Sequence, residues 1–198
     1  MGLMPDFQDG QTPLDPDEMD GLLIRTVSTR GELDEFEQWG VAKAVKWVER
    51  KQLSVEEILS FEFIQRLHRV MFEDVWKWAG VFRTTNKNIG VDKYLIRIEI
   101  NNLIEDCKFW IENQTFDADE IAVRLSHRLV VIHPFSNGNG RHSRLFADIL
   151  ITKHFGLKRF SWGSRSLVKK GEARTAYLNA LKAADKMDYR PLIEFARS

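Results

Sequence analysis

Residues 133–144 read "HPFSNGNGRHSR". A turn between two helices needs one or two breaking residues, yet this stretch packs a proline, two glycines, two asparagines and two arginines together. Pro134 disfavours helical geometry in the residue before it, so a helix ends at His133. The spacing predicts a second helix from about Gly140 or Arg141. Between them, Gly138 and Gly140 can bring backbone N–H groups against a ligand with no side chain in the way. A helix N-terminus adds unpaired amides and the positive end of its dipole, which makes the loop an anion site. Arg141 and Arg144 share a helix face and carry planar forks suited to phosphate oxygens. Arginine in a first helical turn opposes the dipole, and a bound anion removes that penalty. His133, at the other end of the loop, can accept a proton near neutral pH. The pieces describe a polyphosphate held on a loop with a base beside it. Taken singly, each has a plainer reading: Gly-Asn-Gly as a turn, the arginines as solvated side chains, His133 as a packed helix end. A metal site from His127, His133 and His142 is disfavoured, because their spacings match no common ligand pattern.

The rest of the chain sets limits on that reading. Its 198 residues suffice for one domain with a sizeable core. The 43% apolar and 11% aromatic content excludes a disordered chain. Lysine plus arginine equals aspartate plus glutamate, 29 of each, which argues against a broad nucleic-acid footprint. One cysteine, Cys107, lies in a half-apolar helical run and reads as a core residue. The N-terminus has no basic stretch followed by an apolar one, and no run approaches a membrane span. A soluble, cytoplasmic protein with no membrane partner is expected.

Helix signals repeat along the chain. "TRGE" places Thr29 as an N-cap with Glu32 three residues on, a capping box opening a stripe of Leu33, Phe36, Val41, Ala44, Val45 and Val48, mildly interrupted by Gly40. "SVEE" repeats the device at Ser54 and Glu57, and "DADE" at Asp117 and Glu120. Gly156 is placed to end the helix after the cluster, and a short terminal helix begins near Pro191. "VFRTTNKNIGVDKYLI" differs, with β-branched residues on both sides of an Asn/Gly/Asp-rich centre, and predicts a short hairpin. Residues 1–24 are turn-rich and form an arm; 25–198 make one domain. The expected fold is mainly α, with one β-hairpin.

At residue level the cluster resembles the Fic-domain motif, His-Pro-Phe-x-Asp/Glu-Gly-Asn-Gly-Arg-x-x-Arg, at every specified position but one. "VWKWAGVFRT" is similar to the family's Trp-Ala-Gly segment ahead of its hairpin flap, and "SHRLVVIHPF" and "YLNALKAADKMDYRPLIEF" also look familial. The resemblance spans roughly residues 30–197. Within the family the chain looks most like the short proteins called mobile mystery protein B, including the arm "TPLDPDEMDGL".

The resemblance implies a Fic-type helical bundle that transfers AMP from ATP to a Ser, Thr or Tyr hydroxyl of a target protein. It makes His133 the general base and, with Asn139, Arg141 and Arg144, the catalytic set. Phe135, Ser136, Gly138, Asn139, Gly140, Arg141 and Arg144 would hold the nucleotide, with Phe135 anchoring the loop in the core. Arg83, Thr84, Thr85 and Ile89 on the flap would align the target by strand pairing. The mismatch is Asn137, where the family carries an acid reaching Mg²⁺; an amide oxygen lacks the charge this cation favours. Two other readings therefore stand beside adenylyl transfer. One is removal of AMP from a modified protein, or transfer from another nucleotide; the other is a non-catalytic binding module disarmed by Asn137. The family's inhibitory Ser/Thr-x-x-x-Glu-Gly/Asn pattern has only an imperfect counterpart, Ser28 and Glu32 followed by Leu33. The capping box already accounts for Glu32, and an antitoxin-like partner is the other route to inhibition.

Overall fold

The computed structural model describes residues 16–164 and 170–198. The expected helices are present. Thr29 opens α2 (Arg30–Glu49), after a short α1 (Pro16–Met19), and its capping box is complete in both directions. Ser54 and Glu57 do the same for α3 (Val55–Ile58), but the helix expected to continue stops after one turn. Ser60 then caps a new helix, α4 (Phe61–Phe72), by accepting from the Phe63 amide. α5 (Ile96–Glu112) and α6 (Ala118–Ile132) follow. Asp117 takes the N-cap position of α6 without a side-chain bond, and the Glu120 carboxylate pairs with Arg124 one turn on instead of reaching back to the cap. α7 (Asn139–Ile149) runs into a π-turn, Leu150–His154, and left-handed Gly156 follows. α8 (Lys170–Ala184) and α9 (Arg190–Arg197) close the chain.

α6 is the central helix, packed against α5, α7 and α9, while α2 and α4 pair and α4 reaches α7. Ile121, Leu125, Leu129 and Ile132 of α6 meet Phe146, Ile149 and Leu150 in the core, and Cys107 is buried there. Burial pushes the Cys107 thiol up to about 12, so it is an inert packing residue. Gly40 is no interruption: a Cβ there would come within 2.0 Å of the Met71 carbonyl oxygen. It is the point at which α2 and α4 touch backbone to backbone. That close crossing brings the next-inward residue of α2, Glu37, beside the loop ahead of α7.

The hairpin is a correction. Among the described residues no strand forms, and the one β-bridge joins Leu22 to Trp76. With Leu23 N–H donating to Val75 and Lys77 N–H to Gly21, that bridge lays residues 21–23 along the body; residues 1–15 of the expected arm lie outside the described residues. Residues 81–95 fold as an irregular loop, because their polar groups bond to the loop before α7 and to a side chain instead of pairing with one another.

Candidate active site

The loop is shaped by its own residues and held from below. α6 ends with His133 in the left-handed region (φ 53°, ψ 59°), the geometry that Pro134 leaves open. Phe135 is fully buried and stacks on the His68 imidazole at 3.7 Å between centroids. The Asn139 side chain closes the loop on itself: its Oδ1 accepts from Phe135 N–H (2.9 Å) and its Nδ2 donates to Phe135 carbonyl (2.7 Å). Both ends of that amide bond the Phe135 backbone, so Asn139 shapes the loop. His68 adds a second tie. Gly80 N–H donates to its Nδ1 (2.9 Å), which leaves the ring proton on Nε2 to donate to the Asn137 carbonyl (3.0 Å).

The two glycines do different jobs. Gly138 has φ 78°, and a Cβ there would strike the Phe72 ring at 2.5 Å. Around Gly140 a Cβ would meet nothing within 4 Å, so the start of α7 faces open space. No side chain caps α7 and its first turn carries no acid. The N-terminal amides have no side-chain cap, an arrangement that could hold an anion. Ser136 is buried in the loop wall.

The two arginines also differ. Arg144 stands over the Tyr177 ring and donates through Nε to the Gly140 carbonyl (3.1 Å); no carboxylate among the described residues pairs with it. Arg141 donates through Nη2 to Glu37 Oε2 at 2.5 Å. Glu37 is fully buried, and its Oε1 also accepts from Trp76 Nε1 (2.7 Å) and Asn137 Nδ2 (3.0 Å). Sequence reasoning missed Glu37. The signal was there: it stands one turn after Leu33 and one turn before Val41, a charge on the apolar stripe of α2.

His133 is buried, and burial lowers its imidazole to about 4, helped by the Arg83 and Lys87 charges and opposed by a hydrogen bond to the Val130 backbone. It is neutral at pH 7, as a proton acceptor must be. Gly90, at φ 97°, lies directly on it: a Cβ on Gly90 would come within 2.7 Å of the His133 Cβ. Arg83 holds this cover in place. Its guanidinium turns inward, donating to the carbonyls of His133 (2.7 Å), Thr85 (2.7 Å) and Val91. Arg83 N–H donates to Pro134 carbonyl and Val91 N–H to Ile132 carbonyl, the bonds a hairpin ladder would have used. Lys87 makes a buried ion pair with Glu18 of α1. Of the four residues expected to face a target, Arg83 is thus internal, Thr85 half-buried, and Thr84 and Ile89 exposed.

Residues 58–151, which hold this loop, its cover and α4 to α7, match the model of the Fic/DOC family. That segment is similar to the Fic domains of that family. The chain is 26% identical over 180 residues to protein adenylyltransferase fic-1 of Caenorhabditis elegans, an overlap of 88% of this chain and 33% of that protein. It spans about a third of the length of the curated relatives it matches. A fragment of Fic-1 from C. elegans superposes with a TM-score of 0.68 at 23% identity, over 90% of this chain and 51% of that one. The N-terminal Fic domain of a Bartonella quintana cell filamentation protein, solved with bound ADP, gives 0.64 at 17% identity, over 91% and 94%. These structures share the fold.

The bonds of the Ser28–Glu32 segment are local. The Glu32 carboxylate accepts from Ser28 N–H, Ser28 hydroxyl and Thr29 N–H, bonds that hold it below the usual carboxylate range. It serves the start of α2 and has no bond to Arg144.

Proposed function

We propose that the protein transfers AMP from ATP to a Ser, Thr or Tyr hydroxyl of a target protein. The observation that carries this reading is one loop holding three things together: a buried neutral imidazole, an uncapped helix N-terminus, and an arginine without a carboxylate partner among the described residues. The relatives named protein adenylyltransferase support it. In this reading the α7 amides and Arg144 bind the polyphosphate. The target oxygen attacks the α-phosphorus, the bond to the α,β-bridging oxygen breaks, pyrophosphate departs, and the hydroxyl proton passes to His133. Fixed donors at the developing charge contribute most of the rate. The target approaches past Gly90, with Thr84 and Ile89 on the outer side of the cover. The placement among mobile mystery protein B relatives, a cytoplasmic setting and an antitoxin-like partner belong to the same proposal and rest on the sequence resemblance.

Magnesium fits the donor set poorly. Asn137 turns its amide nitrogen to Glu37, which leaves one neutral oxygen, and the Glu37 carboxylate is closed off by Trp76, Asn137 and Arg141.

Incubation with a cell lysate and ATP labelled at the α-phosphate tests the reading, with γ-labelled ATP as control. Adenylyl transfer puts the α label, and not the γ label, onto protein. Protein-bound γ label, or release of AMP from modified protein without forward labelling, would overturn it.

A further inference from the structure

A carboxylate at zero exposure must be fully compensated, and Glu37 is. Its partners come from three places in the chain: Trp76 after α4, Asn137 in the anion loop, and Arg141 in the first turn of α7. Two of the three donors belong to the proposed nucleotide site. The carboxylate neutralises Arg141 and aims the Asn137 amide. It is no removable brake, because leaving Arg141 would also mean leaving Trp76 Nε1 inside the core.

We infer that Glu37 and Asn137 are a matched pair, in which the carboxylate fixed on α2 supplies the site's negative charge and position 137 must stay neutral and donate to it. An aspartate at 137 would replace a donor 3.0 Å from Glu37 with a second carboxylate. Two carboxylates at that separation, one of them fully buried, repel each other strongly unless a further cation comes between them. The charge at 37 therefore opposes a charge at 137, and the departure from the family motif at 137 follows from a residue a hundred positions away. Glu37 is a positioning residue, acting through Arg141 and Asn137. Its functional part rests on the nucleotide-site reading; the coupling itself does not.

The test is a double-mutant cycle on the full chain, with melting followed in EDTA and again in millimolar MgCl₂, without nucleotide. Asn137→Asp is expected to lower Tm by about 5–10 °C in EDTA, more than Asn137→Ala does, and to recover in MgCl₂. Asn137→Asp combined with Glu37→Gln should melt within about 3 °C of Glu37→Gln alone. Isothermal titration of ADP in EDTA adds a functional readout. Asn137→Asp should weaken binding roughly tenfold or more, and the double variant should return it to the level of Glu37→Gln. Should Asn137→Asp fail to fold, recovery of soluble protein on adding Glu37→Gln supports the pairing. Additive Tm losses, or an Asn137→Asp protein that melts like wild type in EDTA, would overturn it. Coupled melts with no ADP binding by wild type would leave the pair standing and remove the nucleotide-site reading instead.

Discussion

Two irregular segments meet at His133, and their ties differ in burial: those of one are buried, many of those of the other exposed. The loop at 133–140 is stiffened from within, by Asn139 on the Phe135 backbone, and from below by His68 and Glu37. The cover at 81–95 is gathered inward by the Arg83 guanidinium, tied across its outer side by Asn86 and Asp92, and pinned by Lys87 on Glu18. A phosphate cradle gains from rigidity, because preorganised donors need not reorganise during the reaction. A cover over a base must let a hydroxyl in, and segments whose hydrogen bonds face solvent open first.

Removing one tie from each region breaks the comparison most directly. Arg83→Ala leaves three carbonyls without their donor, and a loss on the order of 3–5 kcal/mol is expected from thermal unfolding. Nucleotide affinity of the folded fraction should change little, since Arg83 touches no anion donor. Asn139→Ala leaves one N–H and one carbonyl of Phe135 unpaired, with a loss of about 2–3 kcal/mol. Here the KM for nucleotide should rise clearly. A rise in KM for Arg83→Ala of the same size would erase the distinction between cradle and cover.

Acid sharpens the contrast next. His68, His133 and His142 lie beneath or within the loop, and burial lowers all three, His133 and His142 to about 4. Their folded pKa values lie below the unfolded value of 6.5, so the unfolded chain takes up protons first as pH falls. Stability should therefore drop between about pH 6.5 and 4, with His133 and His142 each contributing roughly 2 kcal/mol of loss by pH 5 relative to pH 7. Activity per folded molecule should hold to about pH 5, because the base stays neutral there. An acid limb centred near 6.5 in kcat would mean that His133 is not the titrating base.

The smallest effect belongs to Glu32. Its carboxylate is spent on the start of α2, so Glu32→Gly should lower the melting temperature slightly and leave labelling per folded molecule flat. A gain of several-fold in labelling would make it a brake after all.

What could be read from the sequence was local. Thr29 with Glu32, Ser54 with Glu57, Pro134 after His133 and Gly138 before α7 act on their immediate neighbours, and each is found where the sequence placed it. What escaped acts at a distance. Arg83 reaches His133 fifty residues on, so β-branched flanks that looked like a ladder found other partners. Asn139 was recognised as a site residue, but which groups its amide serves depends on how tightly the loop turns. Glu37 lay in plain view on an apolar stripe, yet its partners Trp76, Asn137 and Arg141 come together only because Gly40 lets α2 and α4 touch. The third capping signal marked the helix start but not a full box, since Glu120 pairs with Arg124 instead of reaching back to the cap.

In the proposed reaction His133 moves a proton and contributes nothing to nucleotide affinity. The most direct test is to compare wild type and His133→Ala by titration with ATP and by transfer of α-labelled AMP to protein. The account predicts binding within about threefold of wild type and transfer lowered by roughly 10²–10⁴, the contribution of a positioned base. Near wild-type transfer by His133→Ala, or a loss of binding that matches the loss of transfer, would contradict it.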